Sequence, residues 1–304
     1  MRIGLINQTH GRPGGDRPAP TWASTKERAV LAEQVGFDMF VYEDALMYKG
    51  DSGTMGVWES VALSGAIAEA TSTMQFGQSV INSPYRSPAM TVSIAETLSE
   101  ISGGRYVLGI GAGNTDDADY EGFGFPTDHR YSRFAEAIEI IHTLVRSDSI
   151  DFDGEYYTAR DCEIVLRRPG DGLTINIAAG GDKMMGLVAR YADAWNWWTW
   201  DMDVDQSLAH LQATITKLEG ACERIGRDPG SIERTVDVYS VVPPGMTHEG
   251  GSMERPVAGT AEEVAASLLA LEAVDIAEVR VDLTDKTPAG IEAMAPVVEL
   301  VHAG

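Results

Sequence analysis

The sequence predicts a single closed (β/α)8 barrel, the TIM-barrel class, and three observations carry that reading. Short β-branched runs alternate eight times with runs of helical period, the pattern of parallel strands joined by helical crossovers. The 304-residue length suits one barrel of about 250 residues plus insertions. No G-x-G-x-x-G turn follows the first strand, where the polar stretch INQTHGRPGGDRP stands instead, and this disfavours an open doubly wound sheet.

Strands are predicted at 2–6, 37–42, 74–81, 105–111, 173–179, 193–198, 234–242 and 276–283. In STKERAVLAEQVG, after the first strand, Ser24 is the expected N-cap, Glu27 holds the capping-box position and Gly36 is the stop. Apolar residues three and four apart continue through 57–71, 87–104, 129–147, 181–192, 205–226, 260–274 and 288–304. The pattern breaks at 150–170, where two short alternating runs predict a small insertion before the fifth strand. Without a long linker or low-complexity tract, residues 1–304 read as one domain.

Composition narrows the partners. Twenty-three basic residues against 46 acidic ones give a net charge of −23, which repels phosphate backbones and anionic lipid and so disfavours nucleic acid and membrane surfaces. Cys162 and Cys222 are the only cysteines, in no metal-binding spacing, and suggest a reducing compartment. The amino-terminal stretch does not read as a signal peptide, and no apolar run approaches the ~18 residues of a membrane span. A cytoplasmic location is expected.

In such barrels the chemistry sits at the carboxyl ends of the strands. Those positions include His10, Glu43 and Asp44, of which His10 is the leading acid–base candidate because its ordinary pKa suits neutral pH; a solvent-exposed loop histidine is the competing explanation. The stretches 111–115 and 243–248 also fall there. Ala179, Gly180 and Gly181 end the fifth strand just before a helix, whose first amides and positive dipole end would bind an anion such as phosphate. Lys183 favours that reading over a simple tight turn. In GIGAGN, Gly111, Gly113 and Asn114 let the backbone pass beneath a flat ligand, with steric relief as the alternative. Arg86 reads as a partner for an anionic substrate or as a surface arginine. Arg130, Arg133 and Glu136 read as an ion-pair set on a helix face. No H-x-H pair or acidic–histidine cluster occurs at a strand end, so a metal-dependent hydrolase is disfavoured.

SVINSPYRSPAMTVSIAETLSEISGGRYVLGIGAGN, continued by YEGFGFPTDHRYSRFAEAIEIIHTL and by INIAAGGDKMMGLVARYADAWN, resembles the bacterial luciferase-like monooxygenase family. The resemblance implies a barrel that often pairs as a homodimer and uses either reduced FMN or the deazaflavin coenzyme F420. It implies a non-prolyl cis peptide at Ser79-Val80 behind the flavin ring, with Asn82 and Asp44 beside it and the 111–114 loop along the ring. Gly180, Gly181 and Met184 match its phosphate-binding turn. The histidine that often follows the acidic residue is Ala45 here, which weakens a proton-transfer role for that corner. Asn114 stands where a sugar-phosphate dehydrogenase subgroup has a catalytic glutamate.

F420-dependent hydride transfer is the favoured expectation. An FMN-dependent monooxygenase using O2 and a non-catalytic flavin-binding protein are the alternatives. Trp195, Trp197, Trp198 and Trp200 crowd the sixth strand and its exit. Strand alternation puts Trp195 and Trp197 on one face and Trp198 on the other. Trp195 is expected to pack. Trp197, Trp198 or Trp200, with Tyr85, would line a pocket for a largely apolar or planar substrate.

Overall fold

The computed structural model describes residues 1–12, 18–50, 53–114, 118–166, 172–247 and 255–304; Thr115, His248 and 167–170 of the insertion lie outside them. Eight parallel strands close a barrel: Arg2–Asn7, Met39–Tyr42, Gln75–Gln78, Tyr106–Gly111, Ile175–Ala178, Ala194–Thr199, Glu233–Val241 and Glu278–Leu283. Each pairs with the next in sequence, and the eighth returns to the first with Arg2 opposite Glu278. Every strand expected from the sequence is present.

Alternation within the strands sorts the side chains. Ile3, Leu5, Phe40, Leu108, Ile177, Val236 and Val281 are buried in the main apolar core under the surrounding helices. The opposite parity points into the barrel and is unusually polar, with Arg2, Asn176, Asn196, Asp237, Glu278 and Arg280 among its members. Such groups survive in an interior only when hydrogen-bonded or paired, and most of these are.

Four local features differ from the sequence reading. The first helix, Trp22–Val35, begins earlier than expected because Thr21 is its cap: the Ser24 amide donates to Thr21 Oγ1 and the Thr21 amide to Ser24 Oγ. Gly36 does end it, at φ 102°. The second helix, Ser60–Ala70, begins later than the expected 57 because Val57 ends a strand, Gly53–Val57, which pairs with Met47–Gly50 and His10–Gly11 in a small sheet over the barrel mouth. The carboxy-terminal run is two helices, Pro288–Ala293 and Ala295–Ala303. Glu136 is no member of a helix-face ion-pair set: it accepts the amides of Glu155, Tyr156 and Tyr157, while Arg133 pairs with Asp128.

The expected insertion is an antiparallel hairpin, Ser149–Asp153 with Thr158–Glu163. No helix among the described residues is long and apolar enough to cross a membrane.

Candidate active site

The third strand ends at Gln78, and the Ser79-Val80 peptide that follows is cis. The chain then resumes beside the fourth strand, with Ile81 opposite Ile110 and Asn82 opposite Gly111. Glycines make this approach possible. A Cβ at Gly109 would overlap the Gln78 carbonyl, and one at Gly111 would stand 2.8 Å from Val80 Cγ2. Gly113 has φ 77°, and its Cβ would overlap Tyr120 Oη and Asn82 Oδ1. Steric relief therefore accounts for all three glycines, and Gly111 and Gly113 also line the cavity described next.

Asp44 fixes the bulge. Its carboxylate accepts the Asn82 amide at 2.8 Å and the Ser60 hydroxyl at 2.6 Å, and it pairs twice with Arg86, at 2.7 and 3.0 Å. Arg86 also reaches Glu59. Arg86 is thus neither a surface arginine nor available to a substrate anion. Asp44 has every oxygen committed, so its geometry is that of an anchor rather than a proton carrier.

A cavity of about 640 Å³ opens in front of the bulge. Ser79, Val80 and Asn82 form one wall, and Asp44 with Glu43 borders it. Gly111, Gly113 and Asn114 line another side. The turn Ala179, Gly180, Gly181 and Met184 also borders it. Gly181 is the N-cap of helix Asp182–Tyr191 and supplies no side-chain cap, which leaves the helix's first amides for a ligand oxygen. A Cβ on Gly181 would meet nothing within 4 Å, whereas one on Gly180 would overlap the Trp197 indole. The two glycines therefore have different reasons: Gly180 accommodates Trp197, and Gly181 borders open space.

Arg130 lines the same cavity and donates to the Gly113 carbonyl at 3.1 Å. Lys217 donates to the Gly180 carbonyl at 3.3 Å, and Lys183 lies 5.8 Å from the Tyr131 ring centre. Three cations thus gather around the anion-type turn of a strongly acidic protein. Spacing alone reads Arg130 as part of a helix-face ion-pair set. What could have flagged it is its place at the start of helix Arg130–Ser147, within reach of the 111–114 loop.

A second cavity, about 410 Å³, shares Ser79, Val80, Ala178 and Trp198 with the first and adds Trp200, Asp237 and Tyr239. The tryptophans divide by strand parity. Trp195 is fully buried and donates to the Ala179 carbonyl at 2.7 Å. Trp197 leans against Gly180 and donates to His210 Nε2 at 2.9 Å. Trp198, on the opposite face and 43% exposed, packs against Trp197 at a tilt of 33° with centroids 3.7 Å apart, and Trp200, 49% exposed, meets Tyr239 at 5.2 Å.

His10 borders neither cavity. It is largely buried, Nδ1 3.0 Å from Glu43 Oε1 and edge-on to Tyr48, which itself lines the first cavity. The same Glu43 oxygen accepts the Thr9 amide and hydroxyl. Burial opposes the Glu43 charge, but these donors outweigh it and hold the carboxyl below its ordinary range. Tyr85 also lies off both walls: its hydroxyl donates to Asp119 and its ring stacks on Phe125 at 4.4 Å. Asp237 and Tyr239, which sequence reasoning did not single out, lie on the seventh strand. The signal was available there, since Thr235, Asp237 and Tyr239 place polar groups at every second position of a strand that must be buried on both faces.

A parallel barrel with a bulged third strand, a glycine-lined groove and a helix-capped turn at the fifth defines an α/β-barrel ligand site at the carboxyl ends of the strands. The luciferase-like monooxygenase family profile matches residues 1–248, and the chain belongs to that family. It is 35% identical over 169 residues to an F420-dependent glucose-6-phosphate dehydrogenase of Amycolatopsis mediterranei, covering 55% of this chain and 49% of that one. It is 39% identical over 163 residues to a 5,10-methylenetetrahydromethanopterin reductase of Archaeoglobus fulgidus, covering 54% and 45%. These matches span about half the length of each relative. In fold, it superposes on an F420-dependent secondary alcohol dehydrogenase structure with a TM-score of 0.80 at 20% identity, covering 99% and 98% of the two chains.

Proposed function

We propose that this protein is an oxidoreductase that uses the deazaflavin coenzyme F420 for hydride transfer to or from a small organic substrate. The observation that carries the reading is the larger cavity, which joins a flat bulge-backed slot to a turn of free helix amides. A ring needs the first and a phosphate the second. Gly111 and Gly113 line that slot, and the open space at Gly181 leaves room for the phosphate. The naming of related glucose-6-phosphate dehydrogenases as F420-dependent supports the deazaflavin over FMN.

When bound, the coenzyme supplies or accepts the hydride. The chain's part is to hold and shield. Val80 and Ser79 back the ring, Asp44 fixes the bulge through Asn82, and the amides after Gly181 with Arg130 neutralise phosphate charge. Glu43 and His10, joined at 3.0 Å, are the acid–base pair closest to the slot, with Glu43 on its wall and His10 behind it. Trp198, Trp200 and Tyr239 bound the adjoining cavity, which we assign to the substrate. That cavity is open, which argues against a purely cofactor-storing protein. It also offers no lysine or arginine among its described lining residues, and Asn114 replaces the acidic residue expected of a sugar-phosphate dehydrogenase. A phosphorylated sugar is therefore not the substrate we propose.

The reading includes a homodimer, for which Met90 and Ile101, exposed on helix Pro88–Ser102, supply apolar surface. It also includes a cytoplasmic location, in keeping with the unpaired Cys162 and Cys222. Absorbance titration of the purified protein with F420 and with FMN tests the cofactor. Saturable F420 binding is expected; tight binding of FMN alone overturns the choice, and binding of neither overturns the enzyme reading.

A further inference from the structure

Beneath the second cavity lies a chain of charges running down the barrel. Arg2 pairs with Glu233 and, at 3.2 Å, with Glu278; Arg280 pairs with Glu278 at 2.5 Å and stands 3.9 Å from Asp237. Two arginines are thus shared among three carboxylates, leaving one formal negative charge in excess. The uppermost member is Asp237, which borders the cavity and is only 4% exposed; its Oδ1 is the oxygen that faces Arg280 at 3.9 Å and has no hydrogen-bond partner among the described residues, so the carboxylate is only loosely neutralised from below. Its other oxygen accepts the Ser79 hydroxyl at 2.8 Å.

The field continues upward. Burial first, and then the carboxylates of Asp237, Asp282 and Glu43, push the Tyr239 phenol well above its ordinary pKa. Lys286, 2.9 Å from Asp282, and His10 beside Glu43 offset part of this charge at the rim. Neither lines the cavity.

Over this negative floor stand three aromatic groups, Trp198, Trp200 and Tyr239. Aromatic faces present negative quadrupole potential, and a cation within about 6 Å of them is attracted, most strongly by tryptophan. Aromatic walls without charge would suit any apolar ligand. Aromatic walls above an incompletely neutralised carboxylate favour a positive one.

We propose that this cavity recognises an organic cation, a protonated or quaternary amine, with its charged nitrogen above Asp237 and its alkyl groups against Trp198, Trp200 and Tyr239. The proposal rests on assigning this cavity to the substrate, and it narrows an apolar or planar substrate to one bearing a positive nitrogen.

Choline and its uncharged isostere 3,3-dimethylbutan-1-ol differ in charge at nearly constant shape, so the pair isolates the electrostatic part. Binding of each to the full-length protein is followed by tryptophan fluorescence and by calorimetry, with and without F420. Choline is expected to bind about tenfold tighter than the alcohol. Trp200→Leu and Asp237→Asn are each expected to reduce that preference, the former without touching the buried charges. Equal or tighter binding of the alcohol overturns the proposal, as does the absence of a saturable response to choline or a preference unchanged in both variants. F420 absorbance titration of the same samples separates the two readings. Lost choline preference with intact F420 binding removes the cation proposal alone, and retained preference without F420 binding removes the cofactor assignment alone.

Discussion

Ser79, just past the end of the third strand, and Asp237 on the seventh meet inside the barrel, the serine hydroxyl donating to the buried carboxylate at 2.8 Å. The residue that begins the cis-linked bulge is therefore tied across the barrel to the floor of the neighbouring cavity. Ser79→Ala leaves that carboxylate oxygen without this donor, in a place where burial already raises the Asp237 pKa. Chemical denaturation should show a loss of about 1–3 kcal/mol. An unchanged midpoint would remove the claim that this bond holds the bulge.

The glycine pair of the fifth-strand turn gives a contrast. Gly180→Ala forces a methyl into the Trp197 indole and should cost about 1–3 kcal/mol of stability. Gly181→Ala meets nothing, so its stability should stay within about 0.5 kcal/mol of the parent. If a phosphate sits on those amides, its F420 affinity should nevertheless fall about tenfold or more. Undiminished affinity in Gly181→Ala would move the phosphate elsewhere.

Arg86→Ala should be severe. It strips the buried Asp44 carboxylate of its paired cation, and removing one partner of a buried pair costs about 3–5 kcal/mol. Urea titration should show the loss with no ligand present. A stable Arg86→Ala protein with impaired turnover would instead point to a substrate role for the arginine.

Stability should depend on Glu43 at acid pH in a definite direction. Its folded pKa lies below the ordinary value despite burial, because His10 and Thr9 donate to it. A depressed carboxyl contributes stability that is complete above the unfolded-chain pKa and is lost as pH falls through the folded one. The advantage of the parent over Glu43→Gln should therefore shrink as pH falls below the ordinary glutamate value of 4.5. Thermal melts on either side of that value check it, and a difference independent of pH would contradict the assignment.

Trp200→Ala should impair turnover more than F420 binding, because Trp200 borders only the second cavity. Equal losses would place both ligands against it.

The barrel was legible in the sequence because the strands are short, mostly apolar runs and each crossover repeats apolar residues at helical spacing. The site was legible where local backbone demands leave a trace, as at Gly111, Gly113, Gly180 and Gly181. Arg130 was not legible in that way. A single arginine at a helix start looks the same whether it faces solvent or a loop folded back upon it. Nor was the Asp44–Arg86 pair, whose members are 42 positions apart and meet only because the second and third strands are neighbours. The paired strands Met47–Gly50 and Gly53–Val57 were not legible for a different reason: they are short, rich in glycine and half-exposed, so they carry no hydrophobic period to read.

Two indoles packed in close contact absorb as a pair rather than singly. Trp197 and Trp198, with centroids 3.7 Å apart at 33°, stand between the turn assigned to phosphate and the cavity assigned to substrate, and each borders the first cavity. Their coupled transitions should give the protein a distinctive near-ultraviolet circular dichroism band. Because Gly180 fixes one ring and open space borders the other, ligand entry on either side should alter that band, giving an optical readout of occupancy without any added label.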